Sequence, residues 1–195
     1  AIKHCGGEVM ITDSLAEIEK AEKLILPGVG SFKAGMDALE SKGLVEAIQK
    51  CAREGTPLLG ICLGMQLLMD HSEEQGSHQG LGLIAGEVKK FQNLAAFEGS
   101  VKVPHINWCA IDKKLDNDNW ADSILAGVQP GADCYFVHSL CVVPKDSEHT
   151  LAVSKYGNSE FCSAIKQDNI VGCQFHPEKS GDVGLQIIDR FVSTR

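Results

Sequence analysis

The sequence lacks several features that mark particular protein classes. Its eight cysteines form no Cys-x-x-Cys pair, and no Cys/His spacing typical of a zinc site is present. No apolar run approaches the roughly 20 residues that span a bilayer. No block of Lys and Arg stands out in a chain whose net charge is -8. We therefore expect no metal, no cofactor, no membrane and no nucleic-acid partner, and instead a small molecule or another protein.

The size and composition predict one compact domain. The chain has 195 residues, of which 44% are hydrophobic, so it can bury a full core. Because the cysteines are scattered and no signal peptide is recognisable, we interpret them as reduced thiols of a cytoplasmic protein. We expect a single domain over residues 1–195.

Hydrophobic periodicity predicts an α/β fold, with a mixed, mostly parallel sheet flanked by helices. The first part alternates strand-like and helix-like segments, and the later part consists of short β-rich stretches. The expected strands cover residues 8–12, 23–26 (ending at Pro27), 82–91, 101–111, 134–143, 151–156 and 161–175. The expected helices are a capped helix over 14–22, one containing Phe32, Met36 and Leu39, one containing Leu44, Ile48 and Cys51, and a closing helix containing Val183, Ile187, Ile188 and Phe191.

The beginning of the chain is unusual for such a fold. Residues 1–7 resemble the end of a helix that runs into a glycine turn, and no strand precedes them. A doubly wound fold normally starts with a central strand. We therefore expect that the first strand and the start of the first helix are lacking, unless the fold compensates in another way.

One segment has the pattern of a nucleophile elbow built around a thiol. An apolar run breaks at Gly60-Ile61-Cys62-Leu63-Gly64 and resumes with helical spacing. A sharp strand-to-helix turn crowds its neighbours, and glycines on both sides of Cys62 relieve that crowding. The start of the following helix would favour a thiolate. Cys62 is our candidate nucleophile, although a free cysteine is more often only a buried core residue.

A second segment supplies a base and a group that orients it. Gln174-Phe175-His176-Pro177-Glu178 follows an apolar run, so a strand would bring His176 to a sheet edge. The turn at Pro177 would return the Glu178 carboxylate to the imidazole and fix its tautomer. Alone, a His and a Glu beside a proline are unremarkable, but together with Cys62 they predict a catalytic triad.

Three further features point to the same pocket. The glycines at 27–30 would let main-chain amides face a developing oxyanion, although an ordinary glycine turn is the simpler interpretation. A phosphate loop is not favoured because no Gly-Lys-Ser/Thr follows. Gln66 lies four residues after Cys62, on the same helical face. Glu74 is a candidate ligand for a cationic group, or else part of a solvated acidic helix end.

These motifs resemble the triad, or class I, glutamine amidotransferases over essentially the whole chain. The resemblance rests on Gly-Ile-Cys-Leu-Gly-Met-Gln, Pro-Gly-Val-Gly and Gln-Phe-His-Pro-Glu-Lys-Ser-Gly. Two more segments, 103–108 (Val-Pro-His-Ile-Asn-Trp) and 135–139 (Tyr-Phe-Val-His-Ser), are similar to the amidotransferase subunits of imidazole glycerol phosphate synthases. The resemblance implies a flavodoxin-like fold, L-glutamine as substrate and a (β/α)8-barrel cyclase partner in a heterodimer.

The resemblance also implies a role for each matching residue. Cys62 would be the nucleophile, His176 the general acid/base and Glu178 its orienting partner. Gln66 and Glu74 match positions that hold glutamine. The oxyanion region matches Val29, Gly30 and Leu63. Trp108 and Lys179 match positions that face the partner.

Three alternatives remain open. A paralogous amidotransferase would supply ammonia to a synthase that aminates surface sugars, and the copurifying protein would distinguish it. A peptidase using the same elbow would need neither Gln66 nor the loop at 27–30. A non-catalytic binding subunit would not require all three triad residues.

Overall fold

The computed structural model describes residues 1–94, 102–114 and 120–194. The helices are α1 (Leu15–Ile18), α2 (Phe32–Ser41), α3 (Leu44–Arg53), α4 (Leu63–Leu67) and α5 (Gly181–Ser193), and 3-10 turns cover Phe91–Asn93, Ser147–His149 and Pro177–Lys179. The strands are β1 (Leu24–Gly28), β2 (Leu58–Cys62), β3 (Met69–Ser72), β4 (His78–Gln79), β5 (Ile84–Lys90), β6 (His105–Ile111), β7 (Ala132–His138), β8 (Leu140–Pro144), β9 (Thr150–Tyr156), β10 (Ser159–Gln167) and β11 (Ile170–Cys173).

The central sheet has five strands in the order β1-β2-β11-β10-β9. Strand β2 pairs in parallel with both β1 and β11, whereas β10 is antiparallel to β11 and β9. A second sheet has the order β4-β3-β5-β8, and β6 and β7 form an antiparallel hairpin. The predicted α/β class with a mixed sheet is confirmed. Among the described strands, parallel pairing is confined to β1-β2-β11 and to β3 with β5.

Helices cover both faces of the central sheet because successive strand residues point to opposite sides. On β2, Leu58 packs in one apolar core with residues of α2 and α3. Leu59 and Ile61 pack in the other core with residues of α5. All five residues of β2 are buried, which explains why it reads as a continuous apolar run.

The three long helices follow the predicted periodicity. Phe32, Met36 and Leu39 are the buried residues of α2, and Leu44, Ile48 and Cys51 are buried on α3. On α5, Ile187, Ile188 and Phe191 are buried, while Val183 is only partly covered. These predictions are confirmed.

Two predictions near the N-terminus are wrong. Residues 8–12 form no strand, and Val9, Met10 and Ile11 are exposed. A run of apolar residues makes a strand only where another strand pairs with its main chain, and no described strand pairs with this segment. The helix expected over 14–22 is the single turn α1, which buries only Ile18, so tertiary packing does not extend it.

Two boundaries also differ. Strand β1 continues through Pro27 to Gly28, because β1 is an edge strand and an edge tolerates a residue without an N–H. The β-rich stretch expected over 101–111 is β6 from His105 onward, and residue 101 lies outside the described residues. No helix within the described ranges has the length and apolar character needed to cross a membrane.

Candidate active site

Cys62 lies at a strained strand-to-helix turn. It is the last residue of β2, α4 begins at the next residue, and its backbone has φ 54° and ψ -109°. Few residues other than glycine adopt a positive φ, and such strain collects at functional sites. The local geometry is that of the predicted nucleophile elbow.

The two flanking glycines are required by close main-chain contacts. A Cβ atom on Gly64 would lie 1.7 Å from the Leu26 carbonyl oxygen. A Cβ atom on Gly60 would lie 2.8 Å from main-chain atoms of Gly64. Both contacts are far inside van der Waals distance, so any side chain at either position would displace β1 or α4.

His176 and Glu178 meet directly beyond the end of β11. Imidazole Nδ1 and the carboxylate Oε1 are 2.8 Å apart. The His176 amide donates to the Tyr135 carbonyl at 2.9 Å, and the Ser180 hydroxyl donates to the His176 carbonyl at 2.7 Å. These main-chain bonds fix the direction of the imidazole, whose side chain is buried.

The sheet register brings His176 to Cys62. Cys173 pairs with Ile61 in the parallel register of β11 and β2, so the residues after Cys173 leave the sheet at the same carboxyl end as Cys62. Imidazole Nε2 is buried and has no hydrogen-bond partner of ordinary geometry among the described residues. Interaction with Cys62, followed by the hydrogen bond to Glu178, raises the pKa of His176 to about 9. Burial acts to raise the pKa of Glu178, but the hydrogen bond to His176, a main-chain hydrogen bond and the charges of His176 and Lys179 together outweigh burial and lower that pKa.

This raised pKa predicts a specific pH dependence of stability. A base whose folded pKa lies above its ordinary 6.5 stabilises the fold fully below pH 6.5, and the stabilisation is lost as the pH rises through about 9. The free energy of unfolding should therefore fall over this interval more steeply in the native protein than in His176→Gln. Chemical denaturation at a series of pH values measures both.

Buried thiols act in the same direction, so the comparison with the variant is essential. Burial raises the pKa of Cys134 and Cys162 to about 12. Because these thiols ionise more readily in the unfolded chain, they also lower the free energy of unfolding at alkaline pH. Both proteins share that contribution. Parallel curves for the two proteins would contradict a protonated His176 in the folded state.

The glycine loop at 27–30 starts beside the thiol. Gly28 pairs with Cys62 in the parallel register of β1 and β2. Val29 is 78% exposed, Gly30 has φ +101°, and a Cβ atom at Gly30 would meet nothing within 4 Å. Leu63, the third residue predicted for the oxyanion region, is buried at the start of α4.

The two predicted substrate ligands lie in different surroundings. Gln66 is buried on α4, and its Nε2 donates to Gln174 Oε1 at 3.0 Å. Glu74 follows β3 and accepts the main-chain N–H of Phe32, at the start of α2. Glu74 therefore sits at the helix that follows the glycine loop rather than at a solvated helix end.

The two residues predicted to face a partner are brought together by a third residue. Trp108 on β6 is 49% exposed and packs edge-on against Tyr135 of β7, with ring centroids 6.0 Å apart. Lys179 Nζ lies 5.9 Å from the Tyr135 ring centroid. Ile106, two residues before Trp108, is 57% exposed. Tyr135 thus joins the predicted partner face to the main chain of His176.

Sequence reasoning missed Tyr135 and Gln174 as site residues. Tyr135 opens one of the quoted segments, and Gln174 lies two positions before His176 at the spacing that places strand residues on one face. The Gln174 amide nitrogen is 3.7 Å from the Cys62 sulfur. That strand spacing was the available signal for Gln174.

An elbow cysteine next to a histidine–carboxylate pair at the carboxyl end of an α/β sheet is the arrangement typical of thiol hydrolases that use a covalent intermediate. The family model for class I glutamine amidotransferases matches residues 3–194. The chain belongs to the class I glutamine amidotransferase family.

Similar proteins carry more specific names. Imidazole glycerol phosphate synthase subunit HisH 1 of Legionella pneumophila is 41% identical over 192 residues, covering 98% of this chain and 90% of that protein. The HisH subunit of Syntrophotalea carbinolica is 45% identical over 187 residues, covering 95% and 88%. Among solved structures, a glutamine amidotransferase has a TM-score of 0.69 at 18% identity, covering 97% of this chain and 89% of that one. The glutaminase domain of Trypanosoma brucei CTPS, solved with bound acivicin, has a TM-score of 0.60 at 16% identity, with 93% and 75% covered.

Proposed function

We propose that this chain is the glutaminase subunit of an imidazole glycerol phosphate synthase. It hydrolyses L-glutamine to glutamate and ammonia, and the ammonia passes to a (β/α)8-barrel cyclase subunit in histidine biosynthesis. The observation that carries this proposal is the buried His176, held at 2.8 Å by Glu178 with Nε2 left for the strained Cys62. The names and extensive coverage of the relatives support the particular pathway.

The first half of the reaction forms a thioester. The Cys62 thiolate attacks the carboxamide carbon of glutamine, and the carbonyl oxygen becomes an oxyanion near the amides of Val29, Gly30 and Leu63. The raised pKa of His176 keeps the imidazole protonated at neutral pH, so it can donate a proton to the departing nitrogen. The carbon–nitrogen bond breaks and ammonia leaves.

The second half returns the enzyme to its starting state. His176, now neutral, removes a proton from water, and the resulting hydroxide attacks the thioester carbon. The carbon–sulfur bond breaks, glutamate leaves and Cys62 is again a thiolate beside protonated His176. Glu178 stabilises the imidazolium in both halves through its bond to Nδ1.

Gln66 and Glu74 are the proposed glutamine ligands. The Glu74 carboxylate suits the α-ammonium group of an amino acid, and its contact with the start of α2 ties it to the glycine loop. Gln66 presents a carboxamide within the buried layer beside Cys62. A site with one carboxylate and one carboxamide fits a zwitterionic substrate that carries a neutral amide.

The hairpin of β6 and β7 is the proposed partner face. Ile106 and Trp108 expose apolar surface there, and Lys179 lies against Tyr135. Aromatic residues are enriched at protein interfaces relative to the rest of the surface. Ammonia released into water would be protonated and lost as a nucleophile, so its production should be coupled to a bound acceptor protein. The lyase step of the synthase would belong to that partner.

The eight cysteines, all free, support the predicted cytoplasmic location. Free thiols persist where the surroundings are reducing.

Affinity purification from the source cell tests the proposal. We expect a (β/α)8-barrel cyclase to copurify in a one-to-one complex. Glutaminase activity should be low for the isolated chain and much higher in the complex, and 6-diazo-5-oxo-L-norleucine should label Cys62. Recovery of a sugar-aminating synthase would instead support the paralogue. Failure of the analogue to label Cys62 in the complex would overturn the glutaminase.

A further inference from the structure

Two buried carboxamides form a short chain that ends at the Cys62 sulfur. Gln66 Nε2 donates to Gln174 Oε1 at 3.0 Å, and Gln174 Nε2 lies 3.7 Å from Cys62 Sγ. Gln174 is completely buried and Gln66 nearly so. A primary amide removed from water is costly unless its polar atoms are paired, so this arrangement is strongly specified.

A main-chain carbonyl fixes which way both amides point. Gln66 Nε2 also lies 3.4 Å from the Leu140 carbonyl oxygen, which can only accept. Gln66 must therefore turn its NH2 group toward Leu140 and Gln174. Gln174 must accept with its oxygen, and its own NH2 group is left facing the sulfur.

The carbonyl that anchors this chain is itself held by a neutral histidine. His138 Nδ1 lies 2.8 Å from the Leu140 oxygen and must donate to it. Burial lowers the pKa of His138 to about 3, so His138 stays neutral over the range in which a thiol titrates. Its Nε2 is 3.2 Å from His105 Nδ1. Because neutral His138 donates from Nδ1, its Nε2 accepts, and His105 Nδ1 is the donor.

We propose that Gln174 is a positioning residue, whose amide N–H favours the Cys62 thiolate while its oxygen holds Gln66 toward the glutamine pocket. The thiol and the thiolate have different partners here. A protonated sulfur can donate to the Val137 carbonyl at 3.8 Å, whereas a thiolate can accept from Gln174. A donor aimed at the sulfur therefore selects the charged, nucleophilic form. The part that concerns Gln66 rests on the proposed glutaminase function.

Two substitutions distinguish the effect of the Gln174 amide N–H on the sulfur from the effect of its oxygen on Gln66. Gln174→Met keeps the volume and removes both hydrogen bonds. Gln174→Glu keeps an oxygen for Gln66 but turns a second oxygen, negatively charged, toward the sulfur. We expect iodoacetamide to alkylate Cys62 about tenfold more slowly at pH 7 in Gln174→Met, and more slowly still in Gln174→Glu. In both variants the pH midpoint of alkylation should move upward.

Gln49→Met is the matched control. Gln49 on α3 is a half-buried glutamine whose side chain donates one hydrogen bond to the Leu81 carbonyl at 2.8 Å, and Leu81 belongs to the core that does not contain Cys62. Its alkylation profile should coincide with that of the native protein, even if its melting temperature falls. Modification is followed at the Cys62 peptide by mass spectrometry, because the chain has seven other cysteines.

The outcomes are distinct. Alkylation profiles of both Gln174 variants that coincide with the native profile would overturn the proposal, whatever their melting temperatures. If neither variant folds, the native protein serves as the test. Its Gln174 side-chain amide resonance, observed by NMR, should then shift with the same pH midpoint as Cys62 alkylation, and a pH-independent resonance would overturn the proposal.

The alkylation readout does not depend on glutamine. If the native complex failed to hydrolyse glutamine, the proposed function would fail while the alkylation profiles still decided the role of Gln174. In an active complex, Gln174→Met should raise KM as well as lower kcat, because Gln66 loses its partner. Gln174→Glu, which keeps the acceptor for Gln66, should lower kcat with a smaller change in KM.

Discussion

Cys62→Ala should reduce glutamine-dependent synthesis by the complex by at least about 10⁴-fold, which is the scale of loss when a covalent nucleophile is removed. The reason is that no other described thiol occupies an elbow: Cys62 alone among the cysteines has a positive φ. Synthesis from added ammonium salt should be retained, because the acceptor reaction belongs to the partner. Both rates are measured on the same purified complex.

Cys51→Ala is the matched control for this change. Cys51 is a buried thiol on α3 whose S–H donates to a main-chain carbonyl, that of Ile18. The Cys51→Ala variant should keep glutamine-dependent synthesis within about twofold of the native rate and lose a modest amount of stability. Substantial glutamine-dependent synthesis by Cys62→Ala would show that another group is the nucleophile.

Gly64→Ala should have the largest effect on the fold, with a loss of about 4 kcal/mol or more in the free energy of unfolding. Its Cβ atom would lie 1.7 Å from the Leu26 carbonyl oxygen, which belongs to the ladder between β1 and β2. Neither the main chain of β1 nor that of α4 can yield without moving Cys62. Urea denaturation, or the loss of soluble protein, measures the effect.

Gly55→Ala distinguishes a steric clash from backbone strain. Gly55 has φ +91°, and a Cβ atom there would meet nothing within 4 Å. We expect a loss of about 1–2 kcal/mol, the cost of a positive φ for alanine. Equal losses for the two variants would contradict the close approach of β1 to Gly64.

Local rules were sufficient where one element decides its own conformation. The spacing of Phe32, Met36 and Leu39 identified α2, because an amphipathic helix closes its hydrogen bonds within itself. The elbow around Cys62 was also predictable, because a glycine on each side of the cysteine is a local sequence pattern. Both predictions were made from local pattern alone, although the contact that requires Gly64 is with the distant Leu26 carbonyl.

Local rules failed where pairing decides. Residues 8–12 contain the apolar run Val9-Met10-Ile11 expected of a strand, but these residues lie exposed and pair with no described strand. A strand forms only when a neighbouring strand pairs with it, so its own sequence does not decide whether it forms. The helix α1 is a single turn although its sequence carries a helical signal, because only Ile18 packs against the rest of the protein.

The residue types of the site, its elbow and its class of chemistry were determined by the sequence. Only the tertiary structure decided that the Gln174 amide, 112 positions from Cys62, faces its sulfur, and that Tyr135 links the proposed partner face to His176. The physical reason is that sheet register sets which side chains meet across strands. Register arises from hydrogen bonds between segments distant in the chain, and no local pattern contains it.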